Sequence, residues 1–258
     1  MNTLLANLVE IGQTSLIVGF LVFLRVGAAM ALLPAFGEQS IPQRVRLVLT
    51  LCFTAIVTPA VAGQITPMAE TRSMMPFGLV TEVIAGLAIG VVLRLFVVAL
   101  QVAGATAAQA TSLSQILGNA GVDPAPAIGQ ILLISGVALA VMAGLHVRFA
   151  EVMIISYDLM PVGQFPDSGI LAEWGTARIA HAFGLAFSLA APFVIASLIY
   201  NVALGVINRA MPQLMVSFVG APAISAGGLL LLFLTVPIVL FVWSRELSTF
   251  LANPFGAY

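Results

Sequence analysis

The chain has 258 residues, 61% hydrophobic and 7% charged, with a mean hydropathy of +1.14. Soluble domains carry roughly 25% charged residues, so this composition excludes an ordinary soluble domain and marks an integral membrane protein. The formal charge of −1, from nine arginines, no lysine and ten acids, offers nothing in favour of nucleic acid, which needs a basic patch.

Six apolar blocks follow one another, near Leu4–Leu33, Val45–Ala62, Pro76–Ala103, Ile128–Ile155, Arg178–Ile207 and Leu214–Trp243. A membrane span needs about 20 apolar residues. Five blocks reach that length and the second falls just short. Several approach about 30 residues, ~45 Å of helix, which implies tilt, kinks or extension past the bilayer. The first ten residues lack a basic segment, so no cleavable signal is expected.

Pro34 and Gly37 end the first block, and Pro59 ends the second. The next link carries Pro67, Glu70 and Arg72. A link rich in acid follows the fourth block, with Asp158, Asp167 and Glu173 among Pro161, Pro166 and Gly169. Pro192 and Pro237 fall inside the last two blocks and predict kinks. Pro212, Gly220 and Pro222 predict an irregular final turn. Arginine placement favours an outside amino terminus, with Arg44, Arg46 and Arg209 in inner links against Arg72 and Arg178 in outer ones.

Between the third and fourth blocks lies a stretch of another kind, Gly104–Pro126. Its one formal charge is Asp123, and its remaining residues are mostly small, hydroxylated or amide. Too many polar groups would be stranded for it to face lipid. Such residues suit a segment packed against protein or lining a narrow watery path. Gln109, Ser112 and Ser114 supply polar groups, and Gly118 and Gly121 supply flexible joints before Pro124 and Pro126. A re-entrant connector with no gating role would use the same residues.

Small residues recur every four positions at Gly86 and Gly90 with Glu82 on the same face, at Gly136, Ala140 and Gly144, and at Gly184 and Ser188. Such stripes allow close helix approach, although an Ala/Gly-rich chain produces some by chance. Charged residues inside apolar blocks mark a pathway or a partner. Glu82 is expected to meet another helix or subunit, Arg148 and Glu151 to pair at i, i+3, and Arg25 and Arg94 fit snorkelling as readily as function.

Chemistry is sparse. Cys52, the single cysteine, reads as a small buried hydrophobe and excludes an internal disulfide or a cysteine metal cluster. His146 and His181 have no ligand at helical spacing, so no metal site is expected. No Gly-x-Ser elbow occurs, no lysine is present for a phosphate loop, and Tyr157-Asp158 lacks a second intramembrane aspartate. These absences argue against an enzyme, and no cofactor is expected.

Four stretches in order carry a family likeness: Arg25–Leu49, with R-V-G-A-A-M-A-L-L-P-A-F-G-E-Q-S-I-P-Q-R-V-R; Glu82–Gly90, E-V-I-A-G-L-A-I-G; Gln109 through Asp123-Pro124-Ala125 to His146 and then Leu159–Gly163; and Asn208–Val216, N-R-A-M-P-Q-L-M-V. As a set they resemble the FliR family of flagellar biosynthesis proteins, homologous to an export-gate subunit of virulence type III secretion. The family's lysine-containing turn after the fourth stretch is replaced here by Gly220–Ile224.

The resemblance implies an all-α membrane-type protein of about six long, partly kinked helices. Residues 1–170 would be a FliP-like part containing the pore loop 104–126, and 171–258 a FliQ-like helical hairpin. It implies a pore-forming subunit of the flagellar export gate in the bacterial inner membrane and basal body. Its partners would be FliP-like and FliQ-like subunits, a FlhB-like switch protein, exported unfolded proteins and membrane lipid. Gln109, Ser112, Ser114, Gly118, Gly121 and Asp123 would belong to the pore plug. Glu82, Gly86 and Gly90 would make helix or subunit contacts, and Arg209, Met211, Pro212 and Gln213 would form a cytoplasmic turn meeting the switch protein. The alternative from the residues alone is a small-molecule secondary transporter, which broken helices and an intramembrane glutamate would suit.

Overall fold

In the computed structural model, residues 2–38, 41–70, 75–111, 127–211 and 216–256 are described. They form seven helices: α1 (Asn2–Met30), α2 (Gln43–Glu70), α3 (Met75–Thr111), α4 (Ala127–Met142), α5 (Leu145–Leu159), α6 (Ser168–Ala210) and α7 (Val216–Ala252). No strand occurs among the described residues. Five helices are long and apolar enough to cross a membrane, and α4 with α5 makes a sixth if the bent pair is one span. Helices suit such a chain because every backbone group is satisfied within the segment.

Several boundaries differ from the sequence reading, each for a local reason. The second block does not stop at Pro59. Helix α2 continues through Pro59 and Pro67 to 28 residues, past the length a span needs. A proline inside a helix removes one amide donor, here to the carbonyls of Ala55 and Gly63, and the remaining backbone bonds carry α2 past both sites. The fourth block is two helices bent by 70°. Gly144 sits at the bend with φ 84°, a left-handed conformation that favours glycine, so it is a corner and not the third member of a packing stripe. Helix α6 begins ten residues before Arg178 and runs through Pro192, and Gly220 and Pro222 fall inside α7 instead of in a turn.

The described helices pack as two compact units. One comprises Met1–Leu95, Val141–Ile179 and Thr249–Tyr258; the other comprises Phe96–Ala140 and Ala180–Ser248. In the first, α1 buries Val18, Leu21, Val22, Val26 and Ala29 along one face, α2 buries Val57, Val61 and Ile65, and α3 buries Ala85, Ile89 and Leu93. The three- and four-residue spacing is what a helix needs to present one continuous face. Helices α1 and α3 run parallel here, since Gly86 faces Arg25 and Ala28 while Gly90 faces Ala29 and Leu32.

In the second unit, α3 and α4 cross with Gly104 set against the Gly129 backbone, and Gly136 lies against Leu100 and the Trp243 ring. Trp243 is fully buried and its indole N–H donates to the Phe96 carbonyl at 2.9 Å, which satisfies the one polar atom of a large apolar side chain. Helices α6 and α7 pack antiparallel, with His181 Nε2 3.3 Å from Glu246 Oε2 at one end. A cavity of about 260 Å³, lined by Phe193, Tyr200 and Leu231 among others, lies further along.

Candidate functional site

The densest polar constellation is built from α1, α3 and α5, and every member is buried. Arg25 projects from the apolar face of α1. Its Nε donates to Glu82 Oε2 at 2.9 Å, and its Nη2 to Glu82 Oε1 at 2.6 Å. This is the two-pronged geometry that a planar guanidinium makes with a carboxylate. Nη2 also donates to the Met160 carbonyl at 2.7 Å, and Nη1 to Ser156 Oγ at 3.0 Å. The Tyr157 hydroxyl donates to Glu82 Oε2 at 2.9 Å, and its ring lies 3.7 Å from the Arg25 Cζ. The Ser156 hydroxyl in turn donates to the Met153 carbonyl at 2.6 Å.

The helical register explains the convergence. Ser156 and Tyr157 come one turn and less before the end of α5, and Met160 is the residue that closes it. Thr81, next to Glu82 on α3, accepts a hydrogen bond from the Gly163 amide at 3.1 Å. One short piece of α3 therefore holds both the carboxylate and the chain leaving α5. Burial of an ion pair is costly unless its remaining hydrogen-bonding capacity is used. Here both carboxylate oxygens accept, and Arg25 makes four hydrogen bonds.

Snorkelling is excluded for Arg25, which is 0% exposed. Arg94 is half-buried and pairs with Glu38, which stands in the turn after α1. Arg148 and Glu151 pair at 2.8 Å on the exposed side of α5. Cys52 is exposed, against the expectation of a buried thiol, because its side of α2 faces away from the core.

Of the residues singled out from sequence, Glu82 meets Arg25 and Tyr157 of its own chain, and Gly86 and Gly90 set α3 against the α1 backbone. Gln109 is exposed near the end of α3. Arg209 and Met211 are exposed at the end of α6. Ser112, Ser114, Gly118, Gly121, Asp123, Pro212 and Gln213 lie outside the described residues. In the sequence Tyr157 reads only as half of an aspartyl site, Met160 only as part of the Leu159–Gly163 stretch, and Ser156 is not singled out. Two adjacent polar residues on an otherwise apolar helix end were the available signal.

A second constellation closes the carboxyl end. Arg178 Nη2 donates to the carbonyls of Pro254 at 3.0 Å and Gly256 at 2.9 Å, and the Trp174 indole donates to the Pro254 carbonyl at 3.1 Å. Trp174 stacks on Phe255 with centroids 6.0 Å apart. Among the described residues no group of histidine, cysteine, aspartate or glutamate could hold a metal ion. Neither constellation pairs a nucleophile with a free base.

A family model described as "Bacterial export proteins, family 1" matches residues 16–250. The chain is 34% identical over 235 residues to the flagellar biosynthetic protein FliR of Caulobacter vibrioides, covering 89% of this chain and 94% of that one. It is 28% identical over 243 residues to the FliR protein of Aquifex aeolicus, with 91% of each chain covered. With the FliR protein of Escherichia coli it shares 26% identity over 223 residues, covering 84% of this chain and 83% of the relative.

Proposed function

The chain belongs to the FliR family of flagellar biosynthetic proteins, within the bacterial export proteins of family 1, and on that premise we propose that it is a structural, pore-forming subunit of the flagellar type III protein export gate. In this reading it passes unfolded flagellar proteins across the bacterial inner membrane at the basal body. The observation that carries it is a family match from residue 16 to residue 250 on a chain with five or six apolar helices. The same reading divides the chain into a FliP-like part, 1–170, and a FliQ-like hairpin, 171–258. The secondary-transporter alternative drew on Glu82 as an ion-coupling group, and that support is weakened because Arg25 and Tyr157 occupy its oxygens.

Co-purification tests the assignment. The chain expressed from its native context should come out of membranes with FliP-like and FliQ-like subunits and a FlhB-like switch protein. Recovery alone, or as a homo-oligomer, would return the transporter reading. Arg209, in the last turn of α6, is the one charge of Asn208–Gln213. Reversing it with Arg209→Glu is expected to lower the switch protein in the recovered complex several-fold, about 1 kcal/mol of contact at an exposed ion pair. Labelling of that turn from outside intact cells would contradict its cytoplasmic placement.

Gln109, Ser112, Ser114, Gly118, Gly121 and Asp123 belong, in this reading, to a plug that closes the resting pore. The support is compositional. Small uncharged side chains fill a confined lumen without burying unpaired charge, and their polar groups bond to water or backbone in either position. A two-state segment needs only a few kcal/mol between its states. Deleting part of Thr111–Gly121 should raise ion leakage through the assembled complex in planar-bilayer recordings. Unchanged conductance with assembly confirmed would leave the stretch as a connector.

A further inference from the structure

The chain has nine arginines and no lysine, and three of those arginines share one geometry. Each is carried by one helix and donates to carbonyls of the chain leaving another helix at its carboxyl end. Arg25 of α1 donates to the Met160 carbonyl, at the exit of α5. Arg46 of α2 donates to the carbonyls of Phe36 at 3.2 Å and Glu38 at 3.0 Å, in the turn after α1. Arg178 of α6 donates to the carbonyls of Pro254 and Gly256, after α7. All three contacts fall within the first compact unit.

We infer that Arg25, Arg46 and Arg178 are a single device: guanidinium caps supplied by a neighbouring helix, which fix the chain at the exits of α5, α1 and α7 and which lysine cannot replace. The last carbonyls of a helix, and those just beyond it, have no partner within the helix. Where the exit is buried, at Met160 and Pro254, water does not supply one, so another group must; at the half-buried turn after α1 the guanidinium joins two carbonyls. At α5, where Met160 is the capping residue, a cation is also favoured because the helix dipole leaves the last turn negative.

The guanidinium adds geometry to charge. It is planar, with several donors fixed in direction, and each of these three residues reaches at least two acceptors at once. Arg46 and Arg178 each bridge two carbonyls. Arg25 joins a carbonyl, a hydroxyl and a carboxylate. An ammonium is a strongly hydrated point charge, and it cannot span these positions while the helices stay where they are.

The amides that report on each exit are already placed. Gly163 N–H donates to Thr81 Oγ1, Gly37 N–H to the Leu33 carbonyl at 2.7 Å, and Asn253 N–H to the Thr249 carbonyl at 3.3 Å. The test is amide hydrogen exchange, read by mass spectrometry on the full chain extracted in mild detergent with the subunits that accompany it. Arg25→Lys should speed exchange about tenfold or more in peptides covering Gly163, since a hydrogen bond to a charged group holds that exit. Arg46→Lys should do so at Gly37 and Arg178→Lys at Asn253, each leaving the other two exits unchanged. Arg148→Lys, at an exposed pair, should change none of the three.

Parental exchange at all three exits in the lysine variants would overturn the inference, and so would a uniform rise along the chain. If Arg25→Lys does not accumulate, the paired substitution Arg25→Met with Glu82→Leu removes both buried charges and keeps the volume. It should accumulate and still show fast exchange at Gly163. Parental protection there would overturn the inference for α5, and Arg46→Lys and Arg178→Lys remain decisive for the other two exits.

Discussion

Glu82→Leu is expected to cost about 3–5 kcal/mol and to leave little protein in the membrane fraction. The substitution removes three accepted hydrogen bonds and strands a guanidinium that has no route to water, because Arg25 is fully buried. Native proteins are stable by only about 5–15 kcal/mol, so one such loss is a large share of the total. Glu82→Gln should be milder, since the amide still offers an acceptor to Arg25 and to the Tyr157 hydroxyl, although it leaves the positive charge uncompensated. Tyr157→Phe removes one hydrogen bond, about 1 kcal/mol, and keeps the ring under the guanidinium. The discriminating variant is the pair Arg25→Met with Glu82→Leu. Replacing a buried ion pair by apolar residues of similar volume is often neutral in stability, so the double variant should accumulate better than Glu82→Leu alone. Immunoblots of membrane fractions and thermal unfolding in detergent give the ranking. A double variant no better than the single one would mean that the network stabilises by more than relief of a stranded charge.

The sequence carried the helices well and their ends badly, for identifiable reasons. Apolar runs above the length of a span are physically constrained to be helical, and all six blocks appear as helix in the structure. Pro59 reads as an end in the sequence, yet a proline removes only one amide donor from a helix, and in a long apolar run the remaining backbone bonds carry α2 through it. Gly144 could be a packing residue or a corner, and only its φ of 84° separates the two. Arg25 shows the same limit. Its position near a block end fits snorkelling, and what decides otherwise is Glu82, 57 residues further on, brought beside it by the parallel run of α1 and α3. No spacing rule within one helix links them. The caps from Arg46 and Arg178 are hidden for the same reason, since their acceptors are backbone carbonyls that carry no residue signature.

The small-residue stripes at Gly86–Gly90 and at Gly184–Ser188 look alike in sequence, and the structure separates them into a graded prediction. At Gly86 an added methyl would fall on the Arg25 carbonyl oxygen and crowd the Ala28 Cβ at 2.9 Å. Neither can step aside alone, since one is backbone and the other is fixed to it. Helices α1 and α3 would have to separate where Arg25 and Glu82 meet, one turn away. Overpacking costs about 1–3 kcal/mol in a core with some freedom to relax, and the upper end applies where backbone is struck and a buried ion pair is stretched. At Gly90 the methyl would meet the Ala29 and Leu32 atoms at 3.0–3.1 Å, so a small shift relieves it. At Gly184 no described atom lies within 4 Å. There alanine should gain about 0.5–1 kcal/mol, because it loses less backbone freedom on forming a helix. Gly86→Ala should therefore lower the unfolding temperature most, Gly90→Ala less, and Gly184→Ala should hold or raise it in the detergent-extracted chain. If the assembled complex is compared as well, Gly184→Ala acquires a second meaning. A loss of complex with an unchanged unfolding temperature would show that the open stripe on α6 takes a helix from another subunit, whereas equal damage from Gly86→Ala and Gly184→Ala would contradict the packing described for α1 and α3.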